Sequence, residues 1–150
     1  MSDISELTDH TGFRMRMVSN AVSQAFARKV EAEGVTVAEW AFLRALYDKP
    51  PMPPSVLAGS MGMTKGAISK LADRLLAKGL IARTDSPHDK RAHSLSLSPK
   101  GKAKVPALAA LADENDAAFF GVLTPAEHRQ LDLLLTVLAE RRGLRATPVD

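Results

Sequence analysis

Several chemistries are excluded by what this 150-residue chain lacks. It contains no cysteine, so disulfides, thiolate metal sites and thiol-based redox sensing are excluded. Its four histidines show no spacing that suits a metal ion, and we expect neither a metal nor a cofactor. No apolar run approaches the roughly 18 residues that a membrane-spanning helix needs, so no membrane association is expected.

Signals for secretion and for catalysis are also missing. The chain starts with a polar, acidic segment that differs from a secretory signal, so a cytoplasmic protein is expected. No nucleophile–base pair, phosphate-binding loop or pair of carboxylates occurs at a spacing that catalysis would need. We therefore do not expect an enzyme.

Positive charge is concentrated in one segment of the chain. Residues 64–104 contain ten lysines and arginines but three aspartates, a net charge of +7, whereas the remainder of the chain carries −4. A basic segment inside an otherwise acidic chain is typical of a binding site for a polyanion. A solvated basic surface without a polyanion partner would give the same charge pattern.

The spacing of apolar residues predicts four helices in the first half of the chain. These residues recur every three or four positions, as on one face of an amphipathic helix. Thr36 and Glu39 have the spacing of a capping box, and Ser55 and Thr64 are expected to cap the next two helices. The predicted helices cover residues 10–33, 37–48, 56–61 and 65–78.

The periodicity changes in the second half of the chain. Two short stretches have the composition of strands, and the polar loop 85–91 joins them into a hairpin. Ser98 is expected to cap the next helix, Thr124 begins a second capping box, and the tail 143–150 is expected to fray. The predicted strands cover 80–84 and 92–97, and the predicted helices cover 99–120 and 125–142.

This order of elements is typical of a winged helix-turn-helix protein. We therefore predict a mainly α fold with a small β-hairpin wing, in which residues 36–98 form a DNA-binding lobe. A hairpin of two strands is marginally stable alone, so the wing is expected to pack on the helices.

The helix predicted over 65–78 has one apolar and one polar face. Small and basic residues at its start leave room to enter a major groove about 12 Å wide, which bulky apolar side chains would obstruct. An ordinary surface helix shows the same pattern, but the preceding turn at Gly62 and the following hairpin favour a recognition helix. Its predicted DNA-contacting residues are Thr64, Lys65, Gly66, Ser69, Lys70 and Arg74.

The loop 85–91 is interpreted as the tip of the wing. Lys90 and Arg91 can lie over a minor groove, whose narrow stretches attract arginine. Asp89 is unsuited to a phosphate contact, so we interpret it as a structural partner that orients Arg91 or Arg83. A solvated turn is the alternative explanation of this loop.

Residues 55–101 resemble the MarR family of bacterial transcriptional regulators. The resemblance is carried by Leu-Leu-Ala-Lys-Gly-Leu-Ile-Ala-Arg at 75–83, Asp-Lys-Arg at 89–91 and Leu-Ser-Leu-Ser-Pro-Lys-Gly at 95–101, in that order. It extends, less specifically, over most of the chain. The proline-rich stretch 50–54 stands where relatives have a mixed loop, so the short extra strand often found there is not expected.

The resemblance implies a homodimer whose first and last two helices, 10–33 and 99–142, interlock as a dimerisation lobe, so that residues 1–150 form a single domain. The sequence supports this assembly, because these helices carry more apolar surface than the small winged helix needs to cover itself. The expected interface residues are Phe119, Phe120, Leu123, Leu131, Leu134, Leu135 and Leu138.

The resemblance also implies a sequence-specific regulator of double-stranded DNA, a ligand-responsive repressor on a pseudo-palindromic operator. Relatives bind small aromatic or phenolic acids in a pocket formed by the first, second and fifth helices, where a cationic side chain would meet a carboxylate. A winged-helix module for protein–protein contact without specific DNA binding is the alternative, which the concentrated positive charge disfavours. The candidate effector-pocket residues are Phe13, Arg16, Met17, Trp40 and Arg44.

Overall fold

The computed structural model describes residues 3–86 and 93–144. Within these ranges the chain forms six α-helices, a two-stranded antiparallel sheet and a short 3₁₀ turn at Leu7–Asp9. The helices are α1 Thr11–Glu31, α2 Val37–Leu46, α3 Pro54–Met61, α4 Lys65–Ala77, α5 Pro99–Phe120 and α6 Pro125–Arg141. The strands are β1 Ile81–Asp85 and β2 His93–Leu97. The predicted mainly α fold with a β-hairpin wing is confirmed.

Local signals set most of the helix starts. The Glu39 N–H donates to the Thr36 hydroxyl at 3.1 Å and the Thr36 N–H donates to the Glu39 carboxylate at 2.8 Å, which completes the predicted capping box. Thr124 and Glu127 form the second box with the same two bonds at 3.2 and 2.9 Å. Gly62 adopts the left-handed conformation with φ 64° and turns the chain from α3 into α4.

The predicted start of α3 is wrong. Ser55 was expected as the cap, but the helix begins at Pro54 behind the extended residue Pro53, so Ser55 lies within the first turn. Proline suits the first helical position because its φ angle is already near the helical value and it has no N–H to satisfy. At this helix start, the preference of proline for the first helical position therefore outweighs the preference of serine for the cap position.

The wing is a regular hairpin with one additional contact. The two strands pair with Ile81 opposite Leu97 and Asp85 opposite His93. Met52 and Leu95 also exchange two backbone hydrogen bonds, at 2.8 and 3.1 Å, and form an isolated bridge. The extra strand that was not expected is thus present as a single residue pair. Prolines on both sides of Met52 lack an N–H to donate, which limits the pairing to that residue.

The winged-helix lobe shares a hydrophobic core with the terminal helices. Helix α1 packs along α5, and the C-terminal part of α1 joins the buried cluster. Fully buried members of the core include Val30, Phe42, Leu57, Leu75, Leu95 and Leu108. Helix α6 contributes no buried residue within the described ranges. Among the helices of residues 3–86 and 93–144, none has the length and apolar character needed to cross a membrane.

Candidate nucleic-acid interface

Helix α4 presents two different faces. Ile68, Leu71 and Leu75 point into the core and are buried. The opposite half of the helix is exposed and polar or basic along its length. The exposed residues of this face and of its cap are Thr64, Lys65, Gly66, Ser69, Lys70, Asp73 and Arg74. The α4 residues predicted to contact DNA therefore lie together on one solvent-facing surface.

The start of α4 is open to solvent. The Thr64 hydroxyl accepts a hydrogen bond from the Ala67 N–H at 3.1 Å and so caps the helix. The first N–H groups of a helix have no partner inside the helix, and the helix dipole adds partial positive charge at this end. Together with the exposed Lys65, this end of α4 has the electrostatics of an anion site.

A groove of about 800 Å³ separates the start of α4 from the end of the wing strands that adjoins the hairpin loop. Lys65 and Ser69 of α4 line it, as do Thr84 and His93 of the two strands and the prolines that precede α3. The start of the candidate recognition helix and the loop-proximal end of the wing strands therefore share one concave surface. A DNA backbone lying there would reach both elements.

The wing tip, with Asp89, Lys90 and Arg91, lies outside the described residues, so these three assignments stay predictions. Within the described part of the wing, the Arg83 Nε atom lies 3.6 Å from the Asp85 carboxylate. Residues two apart on a strand share a face, so Arg83 has an ion-pair partner within its own strand. Both side chains are more than half exposed, so the pair adds little stability and leaves Arg83 accessible.

A buried carboxylate holds the C-terminal end of α4 against the start of α2. Glu39 is 0% exposed, and its two carboxylate oxygens lie 2.9 and 3.0 Å from the Lys78 ammonium. Arg74 approaches the same carboxylate at 3.4 Å and the Thr36 hydroxyl at 3.4 Å. Lys78 also donates to the Gly34 carbonyl at 2.8 Å. Lys78 and Arg74 on α4 therefore converge on one acidic group of α2.

These contacts set the charge of Glu39. Burial alone would raise the pKa of its carboxyl group, but hydrogen bonds from Lys78 and Thr36 and the charge of Lys78 lower that pKa below its ordinary value. Glu39 is therefore ionised at neutral pH. From the sequence, Glu39 was identified as part of a capping box, and its role toward α4 was missed because Lys78 lies 39 positions away.

The cap of α5 satisfies carbonyl groups in the turn that follows α4. The Ser98 hydroxyl donates to the Gly79 carbonyl at 2.6 Å, and the Ser98 N–H donates to the Leu80 carbonyl at 3.1 Å. Gly101 is buried against the same Leu80 carbonyl, and a Cβ atom at this position would overlap it. The turn between α4 and β1 and the first turn of α5 therefore pack with no room for a side chain between them.

A second cleft, of about 910 Å³, opens between α2 and the end of α3. Trp40 and Arg44, two of the five candidate effector residues, line it, and Lys49 adds a second cation. Ser60 also lines the cleft and is 3% exposed. Among the residues that the structure describes, its hydroxyl has no hydrogen-bond partner. A buried polar group without a partner costs free energy, which a polar ligand group could recover.

The other three candidate effector residues lie elsewhere. Phe13, Arg16 and Met17 belong to the N-terminal half of α1, whereas α1 meets α2 near Phe26, whose ring packs edge-on against Trp40 at 6.3 Å. At 1.5 Å per residue, Phe13 is about 20 Å from Phe26 along the helix axis. This cleft is therefore formed by α2, the end of α3 and the segment that follows α2, and the pocket predicted between the first, second and fifth helices stays a prediction.

The terminal helices expose apolar side chains that the described part of the chain does not cover. On α6, Leu133 is 61% exposed and Leu134 is 58% exposed. At the α5–α6 junction the rings of Phe119 and Phe120 pack edge to face, 5.0 Å apart. The predicted interface residues divide into the half-buried Phe119, Phe120, Leu123 and Leu131 and the exposed Leu134, Leu135 and Leu138.

Comparison with known proteins connects this arrangement to transcriptional regulators. A family model described as the MarR family matches residues 33–92. The chain is 31% identical to a putative transcriptional regulatory protein for the hcr operon of Thauera aromatica, over 89% of this chain and 84% of that protein. It is 27% identical to the HTH-type transcriptional repressor MdtR of Bacillus subtilis, over 93% of this chain and 90% of MdtR.

A solved structure extends the likeness to the fold. BpsR of Bordetella bronchiseptica, whose DNA binding is regulated by 6-hydroxynicotinic acid, is similar with a TM-score of 0.80 and 23% sequence identity. The similarity covers 91% of this chain and 97% of the BpsR chain. It therefore includes the terminal helices as well as the winged-helix lobe.

Proposed function

The chain belongs to the MarR family, and from this premise we propose that it is a cytoplasmic, ligand-responsive repressor that binds a pseudo-palindromic operator as a homodimer. Membership of the family makes it a DNA-binding transcriptional regulator and not an enzyme. The observation that carries the proposal is the exposed, basic outer face of α4, which begins at the groove leading to the wing.

The proposed DNA contacts differ along α4. Lys65 and Ser69 lie near its start, where a helix that enters a major groove meets base edges, so they are proposed to determine the preferred sequence. Arg74 lies farther along and is proposed to contact phosphate, which adds affinity without sequence preference. Lys90 and Arg91 in the wing are proposed to contact the adjacent minor groove.

The proposed dimer follows from the exposed apolar surface of the terminal helices. Contiguous apolar patches of this kind are rare on monomers and mark interaction sites. A single DNA-binding module buries about 600–1,000 Å² on DNA, which gives modest affinity. Two modules fixed on one dimer bind together, because the first contact raises the effective concentration of the second. A two-fold dimer would then prefer half-sites whose centres are about 10 base pairs apart.

The proposed effector is a small aromatic or phenolic acid that binds in the cleft between α2 and α3. Trp40 offers a ring face, Arg44 can pair with a carboxylate, and the unpartnered Ser60 hydroxyl can bind a second polar group. That BpsR responds to 6-hydroxynicotinic acid, an aromatic acid, supports this ligand class.

Tryptophan fluorescence tests the effector site, because Trp40 is the single tryptophan of the chain. Titration with 6-hydroxynicotinic acid or salicylate should change the emission in a saturable way. The response should weaken strongly in Arg44→Gln and remain in the surface control Arg28→Gln on α1. A response that is equal in both variants would place the ligand away from Arg44.

Selection of bound fragments from a random duplex pool tests the DNA-binding proposal. We expect enriched sequences that contain two inverted half-sites, and a different base preference for Ser69→Ala. Binding should also weaken steeply as salt rises, with a slope reduced by about one unit in Arg74→Ala. A wild-type chain that enriches no sequence would instead favour the protein–protein interaction module.

A further inference from the structure

The recognition helix is held in place by residues that do not face the groove, and one of them is a fully buried charge. Glu39 is buried between α2 and α4, where it pairs with Lys78. Transferring a charge from water into the protein interior costs about as much free energy as the ion pair contributes. Replacing such a pair by apolar residues of the same size therefore often leaves the protein as stable as before. Because the Lys78 side chain is 40% exposed, the pair is only partly buried and is a weak source of stability, and its geometry indicates a role in orientation.

The geometry ties two points of α4 to a single point of α2. Glu39 is in the first turn of α2, where the positive end of the helix dipole stabilises an anion. Lys78 follows the last residue of α4, where the negative end stabilises a cation. Arg74, one turn earlier on the same side of α4, approaches the same carboxylate at 3.4 Å. Two attachments one turn apart restrain the rotation of α4 about its axis as well as its distance from α2.

We propose that Glu39 is a positioning residue for sequence recognition: through Lys78 and Arg74 it fixes the rotation of α4 and thus the direction in which Lys65 and Ser69 project. This inference rests on the proposed DNA-binding role of α4. Base contacts depend on orientation more strongly than phosphate contacts do. Loss of the Glu39 charge should therefore reduce the discrimination between sequences more than the affinity for DNA in general.

The variant Glu39→Gln isolates the charge from the helix cap. Glutamine serves equally in a capping box, so its amide oxygen can still accept the Thr36 N–H, whereas the attraction to Lys78 is lost. The matched control is Glu127→Gln, because Glu127 forms the same box with Thr124 at an exposed position of α6. Lys78→Met removes the same ion pair from the other side.

The readout is the ratio of affinities for a selected duplex and for a scrambled duplex of equal length. In Glu39→Gln we expect this ratio to fall about five-fold or more, the lower end of what one base contact contributes. Binding of the scrambled duplex should be unchanged or tighter, because a negative charge beside Arg74 has been removed. In Lys78→Met the ratio should also fall, but by no more than in Glu39→Gln, because Arg74 keeps its contact with the Glu39 carboxylate. The double variant should fall no further than Glu39→Gln, since that change already breaks the pair with Lys78. Glu127→Gln should match the wild type.

An unchanged ratio in Glu39→Gln would overturn the proposal, as would an equal loss of affinity for both duplexes, which indicates a merely structural role. If circular dichroism shows that Glu39→Gln is unfolded, the affinity ratio measured for Lys78→Met tests the proposal instead, and an unchanged ratio there would overturn it.

If the wild type enriches no sequence, the proposed function fails, and the positioning role is tested without DNA. The backbone amide chemical shifts of residues 65–69 should then change in Glu39→Gln and not in Glu127→Gln, and unchanged shifts would overturn the inference.

Discussion

Helices α4 and α6 begin alike but lie in different environments. Each is capped by a threonine hydroxyl that accepts a backbone N–H three residues along the chain. Each also carries leucines at helical spacing. On α4 the apolar residues, such as Ile68 and Leu75, are buried within their own chain. On α6 Leu131 is half-buried and the other leucines remain exposed, and none is buried within the described residues.

The two helices differ in whether other elements of the same chain bury their apolar faces. Helix α4 is covered by α2, α3 and β1, which leaves its polar face for another molecule. Helix α6 lacks such cover inside the described chain, and an exposed apolar face of this kind marks an interaction site. In the proposed dimer a second copy of the chain covers α6, while DNA meets the outer face of α4.

The largest effect on stability is expected from Ile68→Ala on α4. Ile68 is 0% exposed, and such a truncation leaves a cavity that costs about 2–5 kcal/mol of unfolding free energy. The control Ser69→Ala, on the exposed face of the same helix, should stay within about 0.5 kcal/mol of the wild type. Urea unfolding followed by circular dichroism measures both. Equal stability of the two variants would contradict the assignment of the faces.

On α6 we expect Leu134→Glu to abolish the dimer while each chain keeps its fold. Affinity for the selected operator should then fall about 100-fold or more, because the second module no longer benefits from effective concentration. The control Gln130→Glu adds the same charge at a polar position of the same helix and should bind as the wild type does. Fluorescence anisotropy with labelled duplex measures the affinities. A dimeric Leu134→Glu with full affinity would remove α6 from the interface.

In the wing we expect Arg91→Ala to weaken operator binding about ten-fold, which corresponds to roughly 1.4 kcal/mol for one arginine contact. Dimer mass and helix content should not change. The control Arg141→Ala removes the same charge from the last turn of α6 and should have little effect. Loss of folding in Arg91→Ala would instead indicate that Asp89 and Arg91 form a structural pair.

A smaller effect is expected when the pH is lowered. The folded-state pKa of Glu39 lies below the ordinary value of 4.5, so its ion pair contributes stability above that pH. This contribution is lost as the pH falls through the lower, folded-state pKa. The difference in melting temperature between the wild type and Glu39→Gln should therefore shrink as the pH falls below 4.5. A difference that grows over this range would mean that Glu39 is protonated in the folded chain.

The features that could be predicted from sequence depend on neighbours in the chain. The capping boxes at Thr36 and Thr124 join residues three positions apart, and the turn at Gly62 needs a single glycine. Their residue types therefore sufficed to place them. At α3 two local signals competed, and the structure shows that Pro54 rather than Ser55 sets the helix start.

The features that could not be predicted depend on residues far apart in the chain. The Met52–Leu95 bridge and the Glu39–Lys78 pair each join residues from different parts of the fold. The spacing of apolar residues along the sequence does not indicate which of these parts contact each other. The second cleft shows the same limit, because Trp40 belongs to the apolar pattern of α2 while Ser60 comes from α3. Sequence patterns predicted which face of each helix is apolar, and packing decides which distant residue that face meets.

The most direct test of the contrast between α4 and α6 is the mass of the wild-type chain in solution, measured by light scattering at micromolar concentration. We expect twice the chain mass of 16.1 kDa for the wild type and for Gln130→Glu, and a single chain mass for Leu134→Glu. A wild-type chain that remains at 16.1 kDa would contradict the proposal, because no second copy would then cover the leucines of α6 and the two-half-site operator would lose its basis.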